Sequence, residues 1–133
     1  MKHSGSCLCG NVIYEYGGEL KKFFLCHCQR CRKNSGSAHA ANIFGRGGEL
    51  VWLQGKDSVS NFKVLGTRHQ RSFCSRCGSA LPFVSADGES VVIPAGSLNT
   101  DIGLAPQGHI FMGSKASWDN ALENVPRFDE LPI

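Results

Sequence analysis

Seven cysteines gathered into three tight clusters limit what this chain of 133 residues can fold into more than any other feature it carries. The clusters are Cys7-Leu8-Cys9-Gly10, Cys26-His27-Cys28-Gln29-Arg30-Cys31 and Cys74-Ser75-Arg76-Cys77-Gly78. Cysteines two or three residues apart can curl round one ion, with the intervening backbone N–H groups turned toward the sulfurs, and Zn²⁺ takes such sulfurs at about 2.3 Å. Seven divides into four plus three. Four thiolates close a tetrahedral site, whereas three leave a position open to water or to a substrate thiol. The expectation is therefore two zinc ions, one architectural and one chemical.

Other uses of cysteine fit less well. The opening residues Met1-Lys2-His3-Ser4-Gly5-Ser6 have no apolar core of a secretory leader behind them, and an odd count would strand one thiol, so a disulfide framework is not expected. A redox Cys-x-x-Cys pair needs a βαβ setting, and nothing here alternates strands with long helices. No apolar run approaches membrane-spanning length, so a soluble, cytoplasmic protein with no membrane partner is expected. The formal charge of +3 is too modest to call for nucleic acid; Lys21, Lys22, Arg68, Arg71 and Arg76 are the residues such a face would use. The length suits one domain over 1–133.

Sixteen glycines punctuate short runs of β-branched and aromatic residues, the pattern of an all-β domain. Segment 11–16 alternates, with Val12, Tyr14 and Tyr16 on one face, and Gly17-Gly18 ends it. Further strands are expected at 23–26, 39–44, 49–54, 59–64, 70–73, 81–84, 90–93 and 109–112. Asp87-Gly88 predicts a tight turn joining 81–84 to 90–93. Residues 28–35 suit a helical turn closed by Gly36, and the end of the chain, with Pro126 and Pro132, reads as an extended tail. Gly45-Arg46-Gly47-Gly48 lacks the Gly-Lys-Ser/Thr ending of a phosphate loop and reads as a hairpin loop.

Spacing alone permits two partitions of the cysteines. One joins Cys28 and Cys31 to Cys74 and Cys77, as in a zinc ribbon, and leaves Cys7, Cys9 and Cys26. The other joins Cys7 and Cys9 to Cys74 and Cys77 and leaves the compact trio Cys26, Cys28 and Cys31. Glycine after both Cys9 and Cys77 suits paired metal-binding turns and favours the second, without excluding the first.

The blocks 5–10, 26–32 running into Ser35-Gly36, and 73–81 resemble, in order, the glutathione-dependent formaldehyde-activating enzyme family, the Gfa-like proteins. Ala95-Gly96-Ser97-Leu98, His109-Ile110-Phe111 and Ser114-Lys115-Ala116-Ser117-Trp118 resemble it too. The resemblance implies a β-tent fold of small twisted antiparallel sheets around a structural zinc on Cys7, Cys9, Cys74 and Cys77. It implies a second zinc on Cys26, Cys28 and Cys31 beside a glutathione site, and a carbon–sulfur lyase activity joining formaldehyde and glutathione into S-(hydroxymethyl)glutathione. Under that reading the trio is catalytic and the partners are a small-molecule thiol and an aldehyde. Arg30, Arg32 and Lys33 are then candidates for pairing with glutathione carboxylates, and Trp118 for walling the pocket, against solvated basic residues and an aromatic core plug. His27, between two ligands, is a candidate fourth ligand or proton donor against an outward-facing position beside the ligand set, which is expected, and His39 is a candidate acid or ligand from the next strand against a core histidine, which is expected. A zinc protein that only binds thiols, and an interaction or nucleic-acid module, are the alternatives to an enzyme.

Overall fold

Alternation decides where the core lies. Val12, Tyr14 and Tyr16 are all fully buried, as the period of two along this segment predicts, and Ile93, Ile43 and Leu81 meet them from other strands. The Tyr14 ring packs edge-on to Trp52 at 6.1 Å, and its hydroxyl lies 2.6 Å from Ser97 Oγ. Burial pushes the Tyr14 phenol up to about 12. That hydroxyl therefore serves the interior as a neutral hydrogen-bonding group.

The computed structural model describes residues 2–132. Its strands in chain order are β1 (His3–Ser6), β2 (Ile13–Tyr16), β3 (Glu19–Cys26), β4 (Ala40–Arg46), β5 (Leu50–Gln54), β6 (Val59–Lys63), β7 (Gln70–Cys74), β8 (Ala80–Leu81), β9 (Phe83–Val84), β10 (Ser90–Pro94) and β11 (Gly108–Ile110). One α-helix, α1 (Gln29–Ser35), lies between β3 and β4. The strands make three small sheets, ordered β1-β2-β5, β11-β3-β4-β10-β9 and β6-β7-β8. This is the expected all-β class and the β-tent arrangement. All neighbours are antiparallel except β11, which runs parallel to β3 with Ile110 opposite Cys26. Gln107 clamps that parallel edge: its N–H donates to the Phe23 carbonyl at 2.8 Å, and its side-chain oxygen accepts from the Phe23 N–H at 3.0 Å.

Several elements differ from expectation for local reasons. Segment 81–84 is two strands: β8 pairs with β7 and β9 with β10, and Pro82, with no N–H for a ladder, sits where the chain changes sheet. The 85–90 loop is longer than a two-residue turn. Ser85 N–H donates to the Ser90 carbonyl, Asp87 accepts from Ser85 Oγ at 2.6 Å and from the Glu89 N–H at 2.9 Å, and Gly88 alone has positive φ, at 76°. β3 starts four residues before expectation, with a register shift between Leu20 and Lys22. The segment expected to end at 112 stops at Ile110, because Phe111 turns at φ 57° into a short 3-10 turn, Met112–Ser114. β1, unforeseen, supplies the approach to Cys7.

Two glycines give a test of this packing. A Cβ at Gly45 would fall into the buried Tyr16 ring, whereas at Gly96 it would meet nothing within 4 Å. Gly45→Ala is expected to cost about 1–3 kcal/mol through overpacking, and Gly96→Ala to stay within about 0.5 kcal/mol of the parent. Denaturant unfolding of both variants measures the contrast.

Candidate functional site

Two turns of like design meet where the first and third sheets approach each other. Gly10 N–H donates to the Cys7 carbonyl at 3.1 Å and Gly78 N–H to the Cys74 carbonyl at 2.7 Å, and the two glycines hold φ of 79° and 75°. These angles favour glycine over any residue with a Cβ, which explains the glycine after each pair. The turns bring the four sulfurs of Cys7, Cys9, Cys74 and Cys77 within 4.8 Å of one another. Cys7 and Cys9 sulfurs are 3.5 Å apart, and Cys9 and Cys74 sulfurs 3.9 Å. Four sulfurs placed tetrahedrally about 2.3 Å from one ion would be about 3.8 Å apart. The donor set and its spacing thus fit zinc, while both distances are far beyond a disulfide bond. Val12 N–H turns to Cys7 Sγ at 3.2 Å, and Ser79 Oγ lies 3.2 Å from Cys77 Sγ. Hydrogen bonds from Ser79, side chain first and then backbone, hold Cys77 down at about 5. At Cys9 the Asn11 N–H pulls downward, but the thiols of Cys7, Cys77 and Cys74 and burial outweigh it, so Cys9 lies at about 11. Cys7 also lies below the usual range, its burial outweighed by the Val12 amide and by the Cys9 and Cys74 thiols.

The second group forms at the end of β3. Cys26 is its last residue, opposite Ala40 of β4 and Ile110 of β11, and both of those side chains pack against it. Cys28 caps α1, its sulfur accepting from the Cys31 N–H at 3.3 Å, and Cys31 lies in the first turn of the helix. The helix ends as expected at Gly36, in left-handed conformation with its N–H on the Arg32 carbonyl. The sulfurs of Cys26, Cys28 and Cys31 converge within 4.8 Å; the outer two residues are buried and Cys28 is partly exposed. Burial pushes the Cys26 and Cys31 thiols up. Burial acts the same way on Cys28, yet the Cys31 amide and the two neighbouring thiols outweigh it and bring Cys28 below the usual range.

A cleft of about 1100 Å³ touches both groups, through Cys7 and Cys31. The helix contributes Cys31, Asn34 and Ser35 to its wall, the one face that spacings of three and four select. Arg30, Arg32 and Lys33 therefore do not line the cleft. Arg32 Nε donates to the Ser114 carbonyl at 3.2 Å, and Lys33 is exposed. The basic side chains that do line it are Arg68 and Arg71, which sequence analysis had placed in a possible nucleic-acid face. Arg71 lies over the Phe73 ring at 4.8 Å with its buried Nε unpartnered. His69, between these arginines, is held below its usual pKa by burial and by the charges of Arg30 and Arg71. Elsewhere, Lys21 pairs with Glu19 at 3.1 Å, and Arg76 donates to Asn11 at 3.3 Å.

The histidines depart furthest from expectation. His27 faces inward and is 1% exposed. Its Nε2 lies 2.8 Å from His109 Nδ1, and its Nδ1 lies 3.0 Å from Asp119 Oδ2, a short contact bent away from hydrogen-bond alignment. His39 is stacked edge-on against His27 with ring centroids 5.1 Å apart, lines the cleft, and has a buried Nδ1 without a partner. Burial, and then the charges of His27 and His109, hold His39 below its usual pKa. Trp118 is 61% exposed, so it is not a core plug, and it is not among the cleft-lining residues. Its neighbour Asp119 reaches the site instead, in a loop tied by Lys115 Nζ to Asn120 Oδ1 at 2.7 Å. Sequence reading missed His109 as a partner of His27, and also Asp119, Arg68 and Arg71 as site residues. His109 stands in a family-like block and Asp119 directly after one, the signal that could have drawn attention to them.

Among the described residues no helix is long and apolar enough to cross a membrane. The profile of the family described as glutathione-dependent formaldehyde-activating enzyme matches residues 2–114. A Halomonas elongata protein named "Putative glutathione-dependent formaldehyde-activating enzyme" is 31% identical over 122 residues, which cover 86% of this chain and 77% of that protein. A crystal structure of a Rhodobacter sphaeroides protein superposes with a TM-score of 0.59 at 21% identity, covering 80% of this chain and 98% of the other, a likeness of fold.

Metal analysis of the purified protein is expected to give two zinc ions per chain. Cys77→Ser should lose one of them together with much of the thermal stability, since a closed site contributes directly to folding free energy. Cys28→Ser should lose the other with little change in melting temperature. Unchanged melting of Cys77→Ser with full metal content, or loss of both ions from Cys28→Ser, would mean that the sulfurs are shared out differently.

Proposed function

The chain belongs to the glutathione-dependent formaldehyde-activating enzyme family, and from that premise we propose that it joins glutathione and formaldehyde into S-(hydroxymethyl)glutathione, as a carbon–sulfur lyase acting in the direction of addition. The observation that carries this reading is the convergence of Cys26, Cys28 and Cys31 on one point beside the cleft that Cys31 lines. Three sulfurs leave a tetrahedral cation one position short, and that position suits an incoming thiol. Zinc held by three thiolates supplies charge that lowers the pKa of a thiol brought to it, rather than strong polarisation of a carbonyl.

The protein's own groups do the rest. Arg68 and Arg71 offer planar, fixed-charge donors to the two carboxylates of glutathione, with Arg30 near His69 as a third source of positive potential and Arg32 and Lys33 further out on the helix. Bidentate pairing there would orient the cysteinyl sulfur toward the trio. In the chemical step the sulfur adds to the carbonyl carbon, the C=O pair moves onto oxygen, and that oxygen takes one proton. His39 is the donor best placed for it. It lines the same cleft as Cys31 and, being neutral near pH 7, has one ring nitrogen free to take the thiol proton as the sulfur ionises and to return a proton to the new oxygen, so that the ring ends as it began.

Product formation followed by NMR against the uncatalysed reaction tests the proposal. An excess rate is expected that disappears with Cys28→Ser. His39→Gln should lower it on the order of 10²-fold while zinc content stays unchanged. Glutathione binding without any excess rate would replace the enzyme with a thiol-binding zinc protein.

A further inference from the structure

One wall of the cleft is not accounted for by formaldehyde. Across the second sheet Phe44 of β4 stands opposite Val92 of β10, which stands opposite Phe83 of β9. Directly paired residues share a face, so these three form an apolar row, and all three line the cleft. The row is about 10 Å wide, two strand spacings. The same face of β4 carries Ala40, packed against Cys31, and Asn42. Phe44 is four residues further on, so the row lies about 13 Å from the thiol trio along the strand. Val92 is 6% exposed, whereas Phe44 and Phe83 stay half-open to the cleft. The cleft is thus two-sided, with Arg68 and Arg71 on one part of its lining and an apolar strip on another, and the trio beside both. At about 1100 Å³ it lies just above the usual range for small-molecule pockets, about 300–1,000 Å³.

Glutathione brings two carboxylates for the arginines, but a one-carbon adduct brings nothing to cover Phe44, Val92 and Phe83. We propose that the carbonyl partner belongs to a larger class: the cleft takes hemithioacetals of glutathione with apolar aldehydes, whose hydrocarbon part lies along the Phe44–Val92–Phe83 row. The inference rests on the thiol chemistry proposed above. The step balances as for formaldehyde, RSH + R′CHO giving RSCH(OH)R′: one S–C bond forms, the carbonyl π pair goes to oxygen, and the thiol proton ends there. No oxidant or reductant is needed.

Calorimetry of the zinc-loaded protein with S-methyl-, S-butyl-, S-hexyl- and S-octylglutathione reads the strip directly, because the thioether removes the thiolate contact equally from every member. Each methylene that covers the row should tighten binding about fourfold. The gain should flatten in Phe44→Ala and in Phe83→Ala, with melting curves confirming that each variant is folded. Should both variants fail to fold, the chain-length series on the parent protein still decides. Affinity independent of chain length, absence of binding throughout, or an equal gain in folded variants overturns the inference. A parallel assay compares the excess rates for formaldehyde, butanal and hexanal with glutathione. A chain-length gain in binding with no turnover of any aldehyde leaves the strip assigned and removes the catalytic reading. Turnover of formaldehyde alone, without that gain, does the reverse.

Discussion

The meeting of two cysteine turns separated by 65 residues of chain is the constraint on which the rest of the structure depends. Cys7 and Cys9 follow β1, in the first sheet, and Cys74 and Cys77 bracket the step from β7 to β8, in the third, two sheets that share no strand. Strands here are two to eight residues long, and the fully buried side chains are few. Such short elements bury little surface each, so a fixed node between sheets carries weight that a larger core would otherwise bear. Hydrogen bonds gather round it. Leu8 N–H donates to Ser79 Oγ at 2.9 Å, Asn11 Nδ2 to Ser58 Oγ at 2.8 Å, and the Arg76 guanidinium to Asn11 Oδ1. All three join the first sheet's approach segment to the third sheet and its flanks, so the node sets their relative placement.

That placement also makes the cleft. Cys7 and Ser79 from the node, Cys31 from the second group, and the faces of β4 and β10 all border one space. A shift of the third sheet against the second would move Arg68 and Arg71 relative to Cys31. The two cysteine groups are thereby coupled through geometry, although they share no residue. The trio needs less support of its own: Cys26 is fixed by the strand ladders on both sides, and Cys28 and Cys31 by the first turn of a helix whose two ends are capped.

Local signals were legible in the sequence and relations between distant segments were not. Glycine after Cys9 and Cys77, the alternation of 11–16, and Gly36 as the end of a helix each encode a backbone conformation within a few residues, and each appears where expected. Pro82 marked a break that a purely apolar reading of 81–84 passed over. The parallel pairing of β11 with β3 joins segments more than eighty residues apart, and no periodicity announces it. The basic residues show the same limit. Arg30, Arg32 and Lys33 adjoin the trio in sequence, yet helix geometry turns Asn34 and Ser35 to the cleft in their place. Arg68 and Arg71, far off along the chain, arrive through the third sheet.

The histidines carry this lesson into the chemistry. His27, flanked by Cys26 and Cys28, would point to solvent in an exposed metal loop. Because β11 covers that edge of β3, the ring is enclosed, and an enclosed imidazole needs partners for two nitrogens. His109, on the covering strand, meets one at 2.8 Å. Asp119 approaches the other at 3.0 Å from a loop that lies beyond the 2–114 span matched by the family profile. The family-like part of the chain therefore creates a buried polar demand that its own residues meet only in part, and the C-terminal segment supplies the carboxylate facing the remaining nitrogen. Trp118 is 61% exposed and Ala116 is the buried apolar side chain of residues 115–120, so apolar burial is a small part of why the segment settles on the site. The Asp119–His27 contact and the bond from Arg32 Nε to the Ser114 carbonyl add polar ties to the rest of the fold, while the Lys115–Asn120 bond sets the shape of the loop itself.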